Sequence, residues 1–175
     1  MNFTAQLAVE HSRANTDFIT KAIGSSTKKF KEIVDIIYNG HAPLPQRASW
    51  LLAAVNEKHP ELLLPYIPLF ITTVHKFKID GIKRNMLSAL SQHTIPEELQ
   101  GQIVNTCFEF LLSPDETVAV KVFAMQIIAN IAKQHPELQD ELKAVIEDQL
   151  PKSSAAFHAR AKRILKGFRH NLKKV

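Results

Sequence analysis

The chain has 175 residues, 45% of them hydrophobic, with 22 Lys and Arg against 17 Asp and Glu, which suits one well-cored domain and is short for two. A single cysteine, Cys107, excludes an internal disulfide, and no basic stretch followed by an apolar one opens the chain, so a cytoplasmic protein is expected. The longest nearly apolar run, Leu62 to Val74, carries Pro65 and Pro68 and falls short of the roughly 18 residues of a membrane span, so no membrane span is expected.

Charge is unevenly placed: residues 152–175 hold eight Lys and Arg and no acid, which leaves 14 basic and 17 acidic side chains in residues 1–151. The net +5 therefore belongs to one terminal element, and an electrostatic partner would have to meet that end.

Helical signals fill the chain. A helix is expected from about Ser12 to Ile23, with a short one before it and a break at Gly24 to Thr27. Helices are then expected in pairs: Lys28 to Asn39 with Gln46 to Lys58, Pro60 to Lys76 with Asp80 to His93, Pro96 to Leu112 with a helix ending near Gln134, and Pro136 to Gln149 with Ser153 to Lys174. Pro60, Pro96 and Pro136 are each followed by Glu and lie 36 and 40 residues apart; proline suits a first helical position and the acid suits the positive end of the helix dipole. Ser113-Pro114-Asp115-Glu116 has the form of a capping box that opens the next helix. Nothing alternates as a strand would.

The pairs are copies of one unit. Leu51 to Leu62 matches Ile127 to Leu138 in kind at almost every position, and Met86 to His93 follows the same course with one residue deleted. With residues 113–132, which look like an inter-helix turn and second helix including Asp115 and Lys121, these segments resemble HEAT repeats. Pro45, Asp80 and His158 stand where the third unit has Lys121. The resemblance implies an all-α, right-handed α-α superhelix: a single domain over 1–175, with an N-terminal cap at 1–27 and repeats at 28–59, 60–95, 96–135 and 136–175. The segments at Arg47 to Trp50 and Ser154 to Ala161 are also similar to small bacterial HEAT-like proteins, some of them named adenylosuccinate lyase. That lyase needs a serine-rich signature loop, and no segment here matches one.

Chemical motifs are sparse. His59, His93 and His135 recur at helix ends, one helix spacing of roughly 8–10 Å apart in a stacked array, too far to share one ion, and are read as residues favourable to a helix C-terminus. There is no HExxH, CxxC, GxSxG or GxGxxG, and Gly24-Ser25-Ser26-Thr27-Lys28 lacks the second glycine of a phosphate loop. Cys107 falls on the apolar face of its helix. No catalytic residue, metal or cofactor is assigned.

Two surfaces remain as binding candidates. On the last helix Phe157, Ala161, Ile164, Leu165, Phe168 and Leu172 fall on one side, and the other side carries Lys162, Arg163, Lys166, Arg169 and Lys173, which read either as the polar face of a capping helix or as an anion-binding surface. Trp50, Asn85, Gln126 and Arg163 occupy one aligned position of the second helices and differ chemically, as exposed concave residues would; Trp50 reads either as an interface anchor or as a side chain packed between helices. The function expected is a noncatalytic scaffold that binds a partner protein on its concave face, the alternative being a nucleic-acid-binding or DNA-repair glycosylase-like HEAT protein that uses the basic last helix.

Overall fold

The computed structural model describes residues 1–171, and side chains through Phe168. Ten α-helices follow one another with short 3-10 turns between some of them: α1 (Phe3–Val9), α2 (Arg13–Ile23), α3 (Thr27–Asn39), α4 (Leu44–Lys58), α5 (Ile67–Thr73), α6 (Asp80–Leu90), α7 (Glu97–Leu112), α8 (Val118–Ile131), α9 (Pro136–Gln149) and α10 (Ala155–Asn171). No strand occurs among the described residues. The chain divides into two compact units, Met1–Ala89 and Leu90–Val175.

In the first unit α4 is the centre, touched by α1, α2 and α3. Ala48, Leu51, Leu52 and Val55 put four fully buried side chains on it. The helices around it are closed by local chemistry. Asn2, Ser12 and Ser26 cap α1, α2 and α3, each side chain accepting a backbone N–H three residues on. Gly24 ends α2 at φ 52°, a backbone region open to glycine. Gly40 ends α3 where an added Cβ would lie 2.5 Å from the Ile36 carbonyl oxygen. Arg47, reaching from α4, donates through Nη1 to the carbonyls of Leu7 and Ala8 at 2.8 and 3.1 Å and so closes the C-terminal turn of α1.

The long helix expected over Pro60 to Lys76 is not formed. That stretch is a 3-10 turn at Pro60–Leu62, another at Leu64–Tyr66, the short α5, and a third 3-10 turn at Val74–Lys76. Pro65 and Pro68 each remove an N–H and clash with the carbonyl four residues back, so the apolar spacing survived while the helical hydrogen bonding did not. Side chains hold it instead: Leu62, Leu63, Ile67, Phe70, Ile71 and Val74 are buried.

In the second unit α7 and α8 pair across residues 113–117, and α10 and α9 pack on α8. Helix α8 has apolar residues around most of its circumference: Val120, Ala124, Met125, Ile127, Ile128, Ala129 and Ile131 are all buried. Its small residues, Ala124 and Ala129, let α7 and α10 approach. The expected capping box is absent. The helix starts at Val118, and Ser113 Oγ accepts from the Asp115 N–H at 3.2 Å, which makes residues 113–117 a turn. Pro136 takes the first helical position of α9, but Pro96 stands one residue before α7.

Ile128 is fully buried. Ile128→Ala should lower unfolding free energy by about 2–5 kcal/mol, read as a lower urea midpoint followed by circular dichroism; a midpoint equal to that of the parent chain would contradict the central place given to α8.

Candidate functional site

Helices α2, α4 and α6 of the first unit border a groove of about 1000 Å³. Of the segment Arg47-Ala48-Ser49-Trp50, only Trp50 lines it. Ala48 and Ser49 point into the core, Arg47 caps α1, and the half-buried Trp50 lies in the groove wall. Its ring meets the His11 imidazole edge to face, with centroids 3.9 Å apart and planes at 61°. Small side chains, Ala53 and Ala54, follow Trp50 on α4, and the exposed Phe18 comes from α2.

A chain of polar contacts runs from the core to this groove. Ser49 Oγ donates to the Gln46 carbonyl at 2.7 Å and accepts from Asn85 Nδ2 at 2.8 Å. Asn85 Oδ1 in turn accepts from Arg84 Nε at 3.2 Å. Ser49 and Asn85 are buried, so the relay is shielded from water and orients the Arg84 side chain in the groove.

The second unit repeats the device. Asn130 Nδ2 donates to the Ser91 carbonyl at 2.8 Å, Gln126 Nε2 donates to Asn130 Oδ1 at 2.9 Å, and Arg160 Nη1 donates to Gln126 Oε1 at 2.7 Å. The Arg160 guanidinium also lies 5.9 Å from the Phe123 ring centroid. Burial, and then the neighbouring charge of Arg163, pull its pKa below the ordinary arginine value. Beside it is a pocket of about 230 Å³ lined by Gln126, Lys133, Arg163 and Phe168 among others.

The four aligned ridge residues thus fall into two pairs: Trp50 and Asn85 line the first groove, Gln126 and Arg163 the second pocket. Arg163 is exposed, Trp50 and Gln126 are half-buried, and Asn85 is buried. Exposure is therefore not what makes these positions differ; Asn85 and Gln126 each fix an arginine. Lys162, Arg163 and Lys166 are exposed on α10, opposite the buried Phe157, Ala161, Ile164 and Phe168. Arg169 is within α10 with its side chain outside the described residues, and Lys173 lies outside them altogether. Sequence reading missed Arg84 and Arg160. The first stands next to its carboxamide and the second 34 residues, about one repeat, from its own. Such spacing becomes a signal only once the repeat register is known.

The recurring histidines are local fittings. Imidazole Nδ1 of His59 lies 3.2 Å from Glu61 Oε1, and that of His135 lies 3.5 Å from Glu137 Oε1, so the shared His-Pro-Glu forms the same two-residue contact twice. Burial lowers the pKa of His93. Cys107 is fully buried, and its desolvated thiol is pushed far above the ordinary value, which keeps it protonated and unreactive. Among the described residues no three His, Cys, Asp or Glu side chains are placed to hold a metal ion, and no helix is long and apolar enough to cross a membrane.

The HEAT repeat domain family matches residues 3–168. The chain belongs to the HEAT repeat family. No curated protein and no solved structure matches it. Its helix pairs, α3 with α4 and α7 with α8, are the hairpins of that all-α solenoid class, and the groove is a feature of this HEAT repeat chain's own side chains.

Burial, and then the charge of Arg47, lower the pKa of His11. Trp50 emission should hold steady as pH falls to about 6.5, the ordinary histidine value, and change only at lower pH as the facing imidazole gains its proton. His11→Ala should abolish that change in a fluorescence titration.

Proposed function

We propose that this HEAT repeat chain is a noncatalytic scaffold that holds a partner protein in the α2–α4–α6 groove. The observation that carries the proposal is the groove itself. It combines an aromatic wall at Trp50 and Phe18, a lining of small side chains, and an arginine oriented by a buried relay, which together suit an interface anchor and its polar rim. Membership of a repeat family that commonly serves as interaction scaffold supports the reading. A cytoplasmic setting goes with it, in keeping with a lone, buried thiol. So does the division into a cap at 1–27 and repeats at 28–59, 60–95, 96–135 and 136–175; the pairing of α3 with α4 and of α7 with α8 supports its first and third repeats.

The test is a photocrosslinking amino acid placed at Ala53 in the groove and, as control, at the exposed Lys143 on α9. In cells of the source organism the groove position should capture one discrete protein that the control does not. Capture of nucleic acid alone, or identical products from both positions, would reject the proposal, and turnover of a substrate by the pure chain would reject its noncatalytic part.

A second reading, nucleic acid on α10, draws on Lys162, Arg163 and Lys166, which are exposed on a helix that carries no acid. If it holds, duplex binding should weaken steeply with salt, and replacing the three cations by Gln should reduce the slope of log K against log salt by about 2.7, at about 0.9 for each phosphate no longer neutralised.

A further inference from the structure

The charges around the groove specify what kind of segment fits it. Arg13, Lys21, Lys58 and Arg84 line it against two acids, Asp17 and Glu57. Arg13 is engaged with Asp17, its Nε 3.6 Å from Oδ2. Arg84 uses Nε on Asn85, and among the described residues its two Nη nitrogens have no acceptor. A guanidinium tethered at Nε, with its outer edge free, presents the paired donors that close on a carboxylate or phosphate. Its tether reaches the main chain of α4 through Asn85 and Ser49, so little side-chain freedom is left to lose on binding.

We propose, on the basis of the scaffold reading above, that the partner presents an acidic peptide segment, with an apolar side chain seated against Trp50 and Phe18 over Ala53 and Ala54 and a carboxylate closed on Arg84. The apolar element follows from Phe18, which stands 52% exposed and lines the same groove as a half-buried tryptophan. The peptide, rather than a nucleic-acid strand, follows from Asp17 and Glu57: a strand with a phosphate at every step would bring some against these acids, whereas a peptide can place carboxylates only where Arg84, Lys21 and Lys58 stand.

The experiment selects binders from a random dodecapeptide display library on the full chain. The winning peptide, and a single-stranded oligothymidylate of 12 nucleotides, are then titrated against the fluorescence of Trp50, the only tryptophan. Winning peptides should carry Asp or Glu flanking Leu or Phe. Arg84→Gln should weaken them at least tenfold, and Arg84→Lys should recover only part of that loss because an ammonium lacks the fork. Lys162→Gln, on α10, should change nothing. A Lys21→Gln, Lys58→Gln double variant, confined to exposed side chains, should weaken binding too and covers the case in which Arg84 variants do not fold. Absence of binders, winners without acids, affinity indifferent to both sets of variants, or oligothymidylate binding as tightly as the best peptide would each overturn the proposal. A protein captured at Ala53 whose capture ignores Arg84→Gln would sink this acidic-segment inference alone and leave the scaffold reading standing.

Discussion

A helix with apolar residues around most of its circumference cannot remain in water, and α8 is such a helix. It exists because α7, α9 and α10 wrap it, and those helices have polar outer faces because wrapping α8 occupies their inner ones. In the first unit α4 takes the corresponding place, with α1, α2 and α3 around it. Both central helices are the second members of their pairs. The first members can therefore be amphipathic, as α3 is with Phe30, Ile33, Val34 and Ile37 buried and Lys28, Lys31 and Asp35 exposed. This asymmetry is the constraint from which the rest follows, since it fixes which helix faces remain to line a groove.

The polar chemistry is arranged on the same scaffold. A carboxamide drawn out of water is costly unless its hydrogen bonds are made, and at the buried Asn85 and the half-buried Gln126 they are made partly by an arginine. The result is a fixed cation on each of two carboxamides that share an aligned position of the repeat. The carboxamide is satisfied and the guanidinium is oriented by one contact, so neither depends on a long-range charge network. Exposed ion pairs such as Arg13 with Asp17 and Lys31 with Asp35 are ordinary i,i+4 pairs on solvated helix faces and contribute little.

Much of this was legible from residues alone. The pairing of helices followed from the likeness of Leu51–Leu62 to Ile127–Leu138, and the helix expected at Pro136 to Gln149 has those bounds in the structure. On α7 the apolar residues Leu99, Ile103, Val104, Cys107, Phe108 and Leu111 recur at helical spacing, and all but the half-buried Leu99 are buried. The misses have two physical sources. At Pro60 to Lys76 and at Ser113 a local signal was read without its competitor: interior prolines outweighed apolar periodicity, and a serine closed a turn instead of starting a helix. At Arg84 and Arg160 no local signal existed, because an arginine on a helix surface looks alike whether it points into solvent or bonds a carboxamide, and the second of these bonds spans a whole repeat.

The interrupted stretch from Pro60 to Lys76 has a consequence for how such chains can vary. A 3-10 turn advances about 2.0 Å and 120° per residue where an α-helix advances 1.5 Å and 100°. Exchanging a residue or two between these states rotates and lengthens the segment while its buried leucines and isoleucines slide within the same oily bed. The stretch is thus a phase adjuster: it can absorb drift in repeat length and re-aim α6, with the arginine it carries, while the central helix of its unit stays as it is.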